Sequence, residues 1–336
     1  MKKIKTWSLF CWCGGSDLWL IGGFTYLWKV YSSLPIEISN ATDIDEKAIN
    51  TYNLNFKHKA EVKSINDLKS EEIPDIDLLV GWFPCQSFST VNPNKDPLDE
   101  RGQLYLQMAR ILWDKKPKFF IAENVKWFMV LKKGEIFKKV LQEFEKKGYN
   151  ITFKLINWAD YWIPQKRQRV FIVWVRKDIW FSFIFPEATH SQDWVWKNKW
   201  VWVGSIIDNS ITENSKFTFS EKAVLWMKNA KNNMKRWLAQ DIENPCLTVT
   251  SHLAKVSLNS RDPVLLINKE KEVYRRFSPL EASRIQSFPD NFKFAWSDAN
   301  AYKQIWNAIA PVVIWHLAKS LVEQIKLNDK ILWKQS

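Results

Sequence analysis

This chain is short of glycine for its size. It carries nine in 336 residues, where an average usage of about 7% predicts roughly 24. A collagen-like repeat and a glycine-rich low-complexity tail are therefore excluded. Tryptophan runs the other way, with 21 copies. Cysteine is sparse too. Cys11, Cys13, Cys85 and Cys246 make no disulfide framework in a chain of this size, and no second Cys/His cluster completes a zinc site around the first two. Such usage points to a reducing, cytoplasmic setting and to no metal. Acidic residues number 36 against 49 Lys plus Arg, so the net charge is +13 and the isoelectric point lies near 9.4. That balance favours a polyanionic partner such as nucleic acid, although a lysine-rich solvated surface gives the same count.

An uninterrupted apolar run of membrane length is also missing. The nearest imitation is "TWSLFCWCGGSDLWLIGGFTYLW", which follows Lys2, Lys3 and Lys5 like the core of a signal or anchor. Asp17 stands in its middle, where a membrane helix would be penalised by about 2.5 to 3.5 kcal/mol. Gly14-Gly15 and Gly22-Gly23 suit turns better than a spanning helix. No membrane association is expected.

What is there is an alternation of short apolar runs with helical periodicity, the pattern of an α/β sheet. Strands are expected at residues 4–10, 36–41, 75–80, 118–123, 151–157 and 169–175. A helix is expected from the first glycine turn toward Tyr31, another over 45–55, and others after Gly102 and around Val140, the last closed by Gly148. From about Phe185 the pattern breaks down, and residues 186–275 read as a smaller domain of loops and short strands. "SPLEASRIQ" reads as a helix with Ser278 and Glu281 at capping-box spacing, and residues 308–325 as a last helix.

The residues that carry chemistry follow the expected strands, where parallel sheets bind ligands. "SLFCWCGGSD" is a strand, a glycine turn and a helix start, a frame that lets backbone approach a nucleotide-like ligand, and a purely structural turn reads the same way. Asp43 in "ATDID" is placed to accept from ribose hydroxyls, while a helix N-cap explains at least one of Asp43 and Asp45. In "GWFPCQSFST", Pro84 stiffens a turn around Cys85, a setting in which helix dipoles lower a thiol pKa and make a nucleophile. Glu123 in "AENV" ends another strand, so its carboxyl faces the same cleft and can donate to a heterocycle if burial raises its pKa. Arg167 and Arg169 in "QKRQR" offer guanidinium groups for a base oxygen or a phosphate.

In this order the motifs resemble the DNA (cytosine-5) methyltransferase family of the bacterial restriction-modification type. They are "SLFCWCGG", "ATDID", "GWFPCQSFS", "DERGQLY", "AENV", "QKRQRVFIV", "RRFSPLEASRIQSFPDNF" and "YKQIWNAIAP". The resemblance implies a Rossmann-like S-adenosylmethionine-dependent sheet with a smaller, irregular target-recognition domain. The catalytic domain would span 1–185, completed by 300–336, with target recognition at 186–275 and a hinge with the ninth motif at 276–299. It also implies base flipping in double-stranded DNA, attack of Cys85 on C6 of cytosine, Glu123 at N3, and Arg167 and Arg169 on the base and nearby backbone. Phe10, Gly14, Asp43, Pro84 and Asn307 match its cofactor contacts. Ser64 stands where many members carry an aspartate for the adenine amino group, so this chain departs from the family at that contact, with Asp67 one candidate to replace it and loss of the contact the other reading. Lys228, Lys231, Lys235 and Arg236 would contact phosphate or form a solvated helix face. The chain would act as a monomer, with any cognate endonuclease a separate protein. A methyltransferase acting on tRNA cytosine, and a catalytically inactive DNA-binding relative, share much of this pattern.

The departure from that family is systematic. Trp12, Trp19, Trp82, Trp127, Trp162, Trp174 and Trp306 stand where its members usually have glycine. Overpacking one tight site costs roughly 1 to 3 kcal/mol, so seven would consume most of a domain's stability of about 5 to 15 kcal/mol. Two readings fit: genuine tryptophans in a decayed or repurposed protein, or UGA codons translated as tryptophan in a chain whose organism reads UGA as glycine.

Overall fold

The structure is a computed structural model and describes residues 2–82, 104–146, 148–193, 195–228, 239–250, 253–255 and 263–335. In chain order, β1 (Ile4–Leu9) leads through the glycine turn into α1 (Gly15–Ile21), followed by the hairpin β2 (Phe24–Tyr26) and β3 (Lys29–Tyr31). Next come β4 (Ile36–Asp43), α2 (Glu46–Asn55), β5 (Ala60–Val62), β6 (Leu78–Gly81), α3 (Leu104–Lys115), β7 (Phe119–Val125), α4 (Glu135–Lys146) and β8 (Tyr149–Asn157). The short β9 (Gln165–Lys166) precedes β10 (Gln168–Arg176).

Seven of these strands form one sheet in the order β5-β4-β1-β6-β7-β10-β8. The pairings from β5 to β7 are parallel, and β10 runs antiparallel to both β7 and β8. Parallel strands covered on both faces read as unbroken apolar runs, and β6 is buried at all four residues. Leu20 of α1 belongs to the apolar layer on one face, Phe137, Val140 and Phe144 of α4 to the layer on the other. The chain reverses direction across β1, so the crevice at the carboxyl ends of β1 and β6 is the sheet's topological switch point, where doubly wound folds bind their ligands.

Local signals explain the helix starts. Asp45 caps α2, accepting from the Lys47 and Ala48 amides at 3.1 and 3.2 Å. The first helix is shorter than its sequence suggests. It stops at Gly22, whose φ of 66° turns the chain, and residues up to Tyr31 form the hairpin instead. The anchor-like segment is thus a strand, a turn, a seven-residue helix and a hairpin, with Asp17 buried inside the protein.

Beyond Arg176 the regular elements are short: β11 (His190–Ser191), β12 (Asn198–Lys199), α5 (Glu221–Lys228), β13 (Cys246–Leu247), β14 (Leu265–Asn268) and β15 (Val273–Arg275). β13 pairs with β9, which ties the "PCLTV" segment to the start of "QKRQR". α6 (Pro279–Ile285) carries the expected capping box, Ser278 Oγ accepting from the Glu281 amide and Glu281 Oε2 from the Ser278 amide. α7 (Asp298–Asn307), unforeseen in the sequence, precedes α8 (Pro311–Gln335), so the last helix begins three residues later than expected and runs to 335. A helical stretch over 298–329 is long and apolar enough to cross a membrane, yet 72% of its apolar window is buried. Val312, Leu317 and Leu321 lie in the layer that covers the sheet, which makes α8 a core helix.

Candidate active site

Glu123 lies near the carboxyl end of β7, directly opposite Phe171 in the antiparallel register with β10. Two residues toward the same end, Arg169 sits opposite Val125 and reaches back, its Nε 2.9 Å from Glu123 Oε1. Burial raises the Glu123 pKa above the ordinary carboxylate value, and the Arg169 and Arg167 charges only partly offset it. The site therefore pairs a buried carboxyl, whose proton is held more tightly than usual, with a guanidinium.

Arg167, two residues away, points elsewhere. It is buried, and its guanidinium donates to the carbonyls of Val249 at 3.3 Å and Trp306 at 3.2 Å. The Trp158 ring lies under both arginines, 4.7 Å from Arg167 Cζ and 5.9 Å from Arg169 Cζ, within cation–π range. Where the sequence offers two equivalent arginines for base or phosphate, the structure thus gives them different surroundings. Arg169 faces Glu123, and Arg167 braces β10 against the "PCLTV" segment and the end of α7.

A buried amide chain parallels this brace and escaped notice in the sequence. Gln165 Nε2 donates to Gln286 Oε1 at 2.7 Å, Gln286 Nε2 to the Ile305 carbonyl at 2.6 Å, and the Val249 amide to Gln165 Oε1 at 3.3 Å. Both glutamines are fully buried. Their signal was available in retrospect, since Gln165 heads "QKRQR" and Gln286 closes "SRIQ".

The cofactor candidates gather at the neighbouring strand ends. Gly14 takes a left-handed φ of 88° as N-cap of α1, and the Gly14 amide donates to the Cys11 carbonyl at 2.9 Å. Asp43 ends β4, with Oδ2 accepting from the Trp12 amide at 3.0 Å and Oδ1 from the Asp45 amide at 2.9 Å. Burial raises its pKa and those amide bonds pull it back. Each carboxylate oxygen retains a lone pair for a further donor, so Asp43 is able to accept from a hydroxyl-bearing ligand at the turn. Phe10 follows β1 with a φ of 55°, and Asn307 ends α7 beside the Trp306 carbonyl that Arg167 holds. Trp82 intrudes here. It follows β6 directly, is buried, and its indole N–H donates to Ser16 Oγ on α1 at 2.9 Å, so it spans the gap between β6 and the start of α1.

Ser64 lies just beyond β5, and its Oγ accepts from the Asn66 amide at 3.2 Å, a local turn bond. Asp67 is exposed. Lys228 forms an ion pair with Glu272. Cys85, Pro84, Lys231, Lys235 and Arg236 lie outside the described residues.

Behind the glycine turn sits a polar cluster that the sequence did not announce. Asp17 is fully buried and accepts from Ser8 Oγ at 2.8 Å, Ser16 Oγ at 3.1 Å and Tyr52 Oη at 2.7 Å, and that phenol also contacts His58 Nε2 at 2.7 Å. Burial pushes the Asp17 carboxyl up to about 6 against the lowering effect of those bonds.

The sequence profile of C-5 cytosine-specific DNA methylases matches residues 4–323 of this chain. The chain belongs to that family. It is a DNA cytosine-5 methyltransferase. The Type II methyltransferase M.FnuDI of Fusobacterium nucleatum is 33% identical, over 98% of this chain and 97% of that relative. M1.ScrFI of Lactococcus lactis subsp. cremoris is also 33% identical, over 98% and 80% respectively. Among solved structures, the Entamoeba histolytica methyltransferase EhMeth shares the fold with a TM-score of 0.75 at 20% identity, covering 97% of this chain and 99% of its own. The methylase fold accounts for the largely parallel sheet of this chain.

Proposed function

We propose that this methylase transfers a methyl group from S-adenosylmethionine to C5 of a cytosine flipped out of a specific duplex DNA sequence, through a covalent adduct on Cys85. The observation that carries this reading is the buried Glu123 carboxyl, raised in pKa and paired with Arg169 at the end of β7. The neighbouring strand, β6, leads within four residues to Cys85.

The Cys85 thiolate adds to C6, forming the S–C6 bond and pushing the ring's electron pair toward C5. Neutral Glu123 holds N3 through a donated hydrogen bond, so the negative charge that develops on the ring is stabilised as it forms. Arg169 orients that carboxyl and is within reach of the base. Bound S-adenosylmethionine supplies an electrophilic methyl group, held by the Gly14 turn, Asp43 and, beyond the described residues, Pro84. Once C5 is methylated, loss of its proton restores the C5–C6 double bond and expels Cys85 as thiolate. Target recognition is assigned to residues 186–275. Their links to the catalytic part include the β9–β13 pairing, the Arg167 bond to Val249 and the Trp200 bond to Asp160. The chain acts as a cytoplasmic monomer, and any cognate endonuclease is a separate protein.

Duplex DNA containing 5-fluorocytosine tests the adduct, because a C5 fluorine cannot leave as a proton. A denaturation-stable protein–DNA band that disappears in Cys85→Ala is expected. No such band from correctly decoded, folded protein across a library of sequences overturns the reading.

A further inference from the structure

Four tryptophans have a backbone that tryptophan has no reason to adopt. Among the described residues, eleven non-glycine positions have positive φ, and four of them are tryptophan: Trp12 at 50°, Trp162 at 68°, Trp180 at 63° and Trp296 at 76°. A random distribution of the tryptophans would place about one there, and a bulky side chain in this region is a true outlier. Two of the four sit where glycine is the usual answer. Trp162 closes the 3-10 turn Trp158–Tyr161 and Trp180 closes Lys177–Ile179, each as a left-handed C-cap.

The side chains gain little in return for the strained backbone. Trp180 is 81% exposed and Trp296 60%, with Lys47 Nζ 5.7 Å over the Trp296 ring. Trp162 buries its indole nitrogen without a hydrogen-bond partner, which carries a desolvation penalty. Trp200 is the contrast. Its backbone is ordinary and its indole N–H donates to Asp160 Oδ1 at 2.9 Å, whereas a lysine over the ring is common to Trp200, Trp162 and Trp296 and does not separate them.

We infer that residues 12, 162, 180 and 296 are glycine in the protein as its own organism makes it, with UGA codons there read as glycine, whereas Trp200 is a genuine tryptophan. Trp12 and Trp162 are picked out by the family pattern and the backbone together. Trp180 and Trp296 are picked out by the backbone alone, which makes them an independent check on the decoding explanation. The inference is separate from the catalytic reading, because it depends on φ, exposure and hydrogen bonding and on no role in methyl transfer.

Two measurements decide it. The gene should carry UGA at codons 12, 162, 180 and 296 and UGG at codon 200. UGG at any of the four, or UGA at 200, overturns the assignment. In recombinant protein made as written, the paired change Trp180→Gly and Trp296→Gly removes two strained, largely exposed side chains at the loss of one Lys47 contact over the Trp296 ring. The melting temperature should rise by about 2 to 4 °C, while Trp200→Gly should lower it. A fall or no change in the paired variant refutes the strain argument, and the exposure of both sites keeps a folding failure from masking the outcome.

Discussion

Replacing Glu281 by alanine should be among the most damaging single changes outside the active site. Arg275 and Glu281 are 1% and 0% exposed and form a two-pronged pair, Nη1 to Oε2 and Nη2 to Oε1, both at 2.7 Å. The same carboxylate accepts from the Ser278 amide at 2.8 Å, completing the α6 capping box, and from the Asp208 amide at 2.9 Å. One side chain thus joins β15, the start of α6 and the segment around residue 208. Its removal leaves a guanidinium buried without its carboxylate, which costs about 3 to 5 kcal/mol, and removes a helix cap worth about 1 kcal/mol. Against a total stability of about 5 to 15 kcal/mol, the variant should be partly unfolded at 37 °C. Urea denaturation followed by circular dichroism would read the loss. The double change Arg275→Met with Glu281→Ala should recover part of it, because no charge is then stranded. A loss below about 1 kcal/mol for Glu281→Ala, or a double variant as damaged as the single one, would refute the buried-charge argument.

Two further outcomes follow from burial. Asp17 rises from 3.8 to about 6, so the folded state binds its proton more tightly than the unfolded state. Its contribution is fully present below pH 4 and is lost as pH rises to about 6, a swing of about 3 kcal/mol. Asp17→Asn should lack that slope, so the parent's advantage in urea midpoint over the variant should shrink between pH 4 and 6, and a pH-independent difference would count against the argument. Gly14→Ala sets a Cβ 2.3 Å from Phe56 Cε2 and 2.8 Å from Tyr52 Cδ2 at a φ of 88°. It should cost about 2 to 4 kcal/mol. Gly148→Ala has the same φ but open space around it, and should cost only about 1 kcal/mol. Equal losses at the two sites in thermal melts would sink the steric part of the argument.

Much of the sheet was legible because central strands covered on both faces must be apolar on both sides, and the runs at β6, β7 and β10 stand out for that reason. The α6 capping box was equally plain, since its two partners are three residues apart in the chain. The hairpin of β2 and β3 was not. Three-residue strands carry no period, and what fixes them is the burial of Tyr26 and Tyr31 against Trp19, reached only when α1 packs on the sheet. α7 hid because it is short and half polar, with its apolar residues Ala301, Tyr302 and Ile305 facing a cluster assembled from residues 203 to 285.

At the candidate site the division is sharper. Chain order alone put Asp43 and Glu123 at the ends of strands of one sheet, because in an α/β sheet strand ends collect on one edge. The arginine pair read only as lying before or within a strand, and the antiparallel run of β10 brings Arg169 to that edge. The sequence also determined that glycine was too scarce for the turns the motifs demand. Only the tertiary structure decided that Arg169 faces Glu123 while Arg167 turns to the carbonyls of Val249 and Trp306. Only it could show which tryptophans sit on left-handed backbone. The reason is common to both. A buried donor is paired with whichever acceptor the packed chain brings within reach, and a residue's φ is imposed by the closure of elements far apart in sequence.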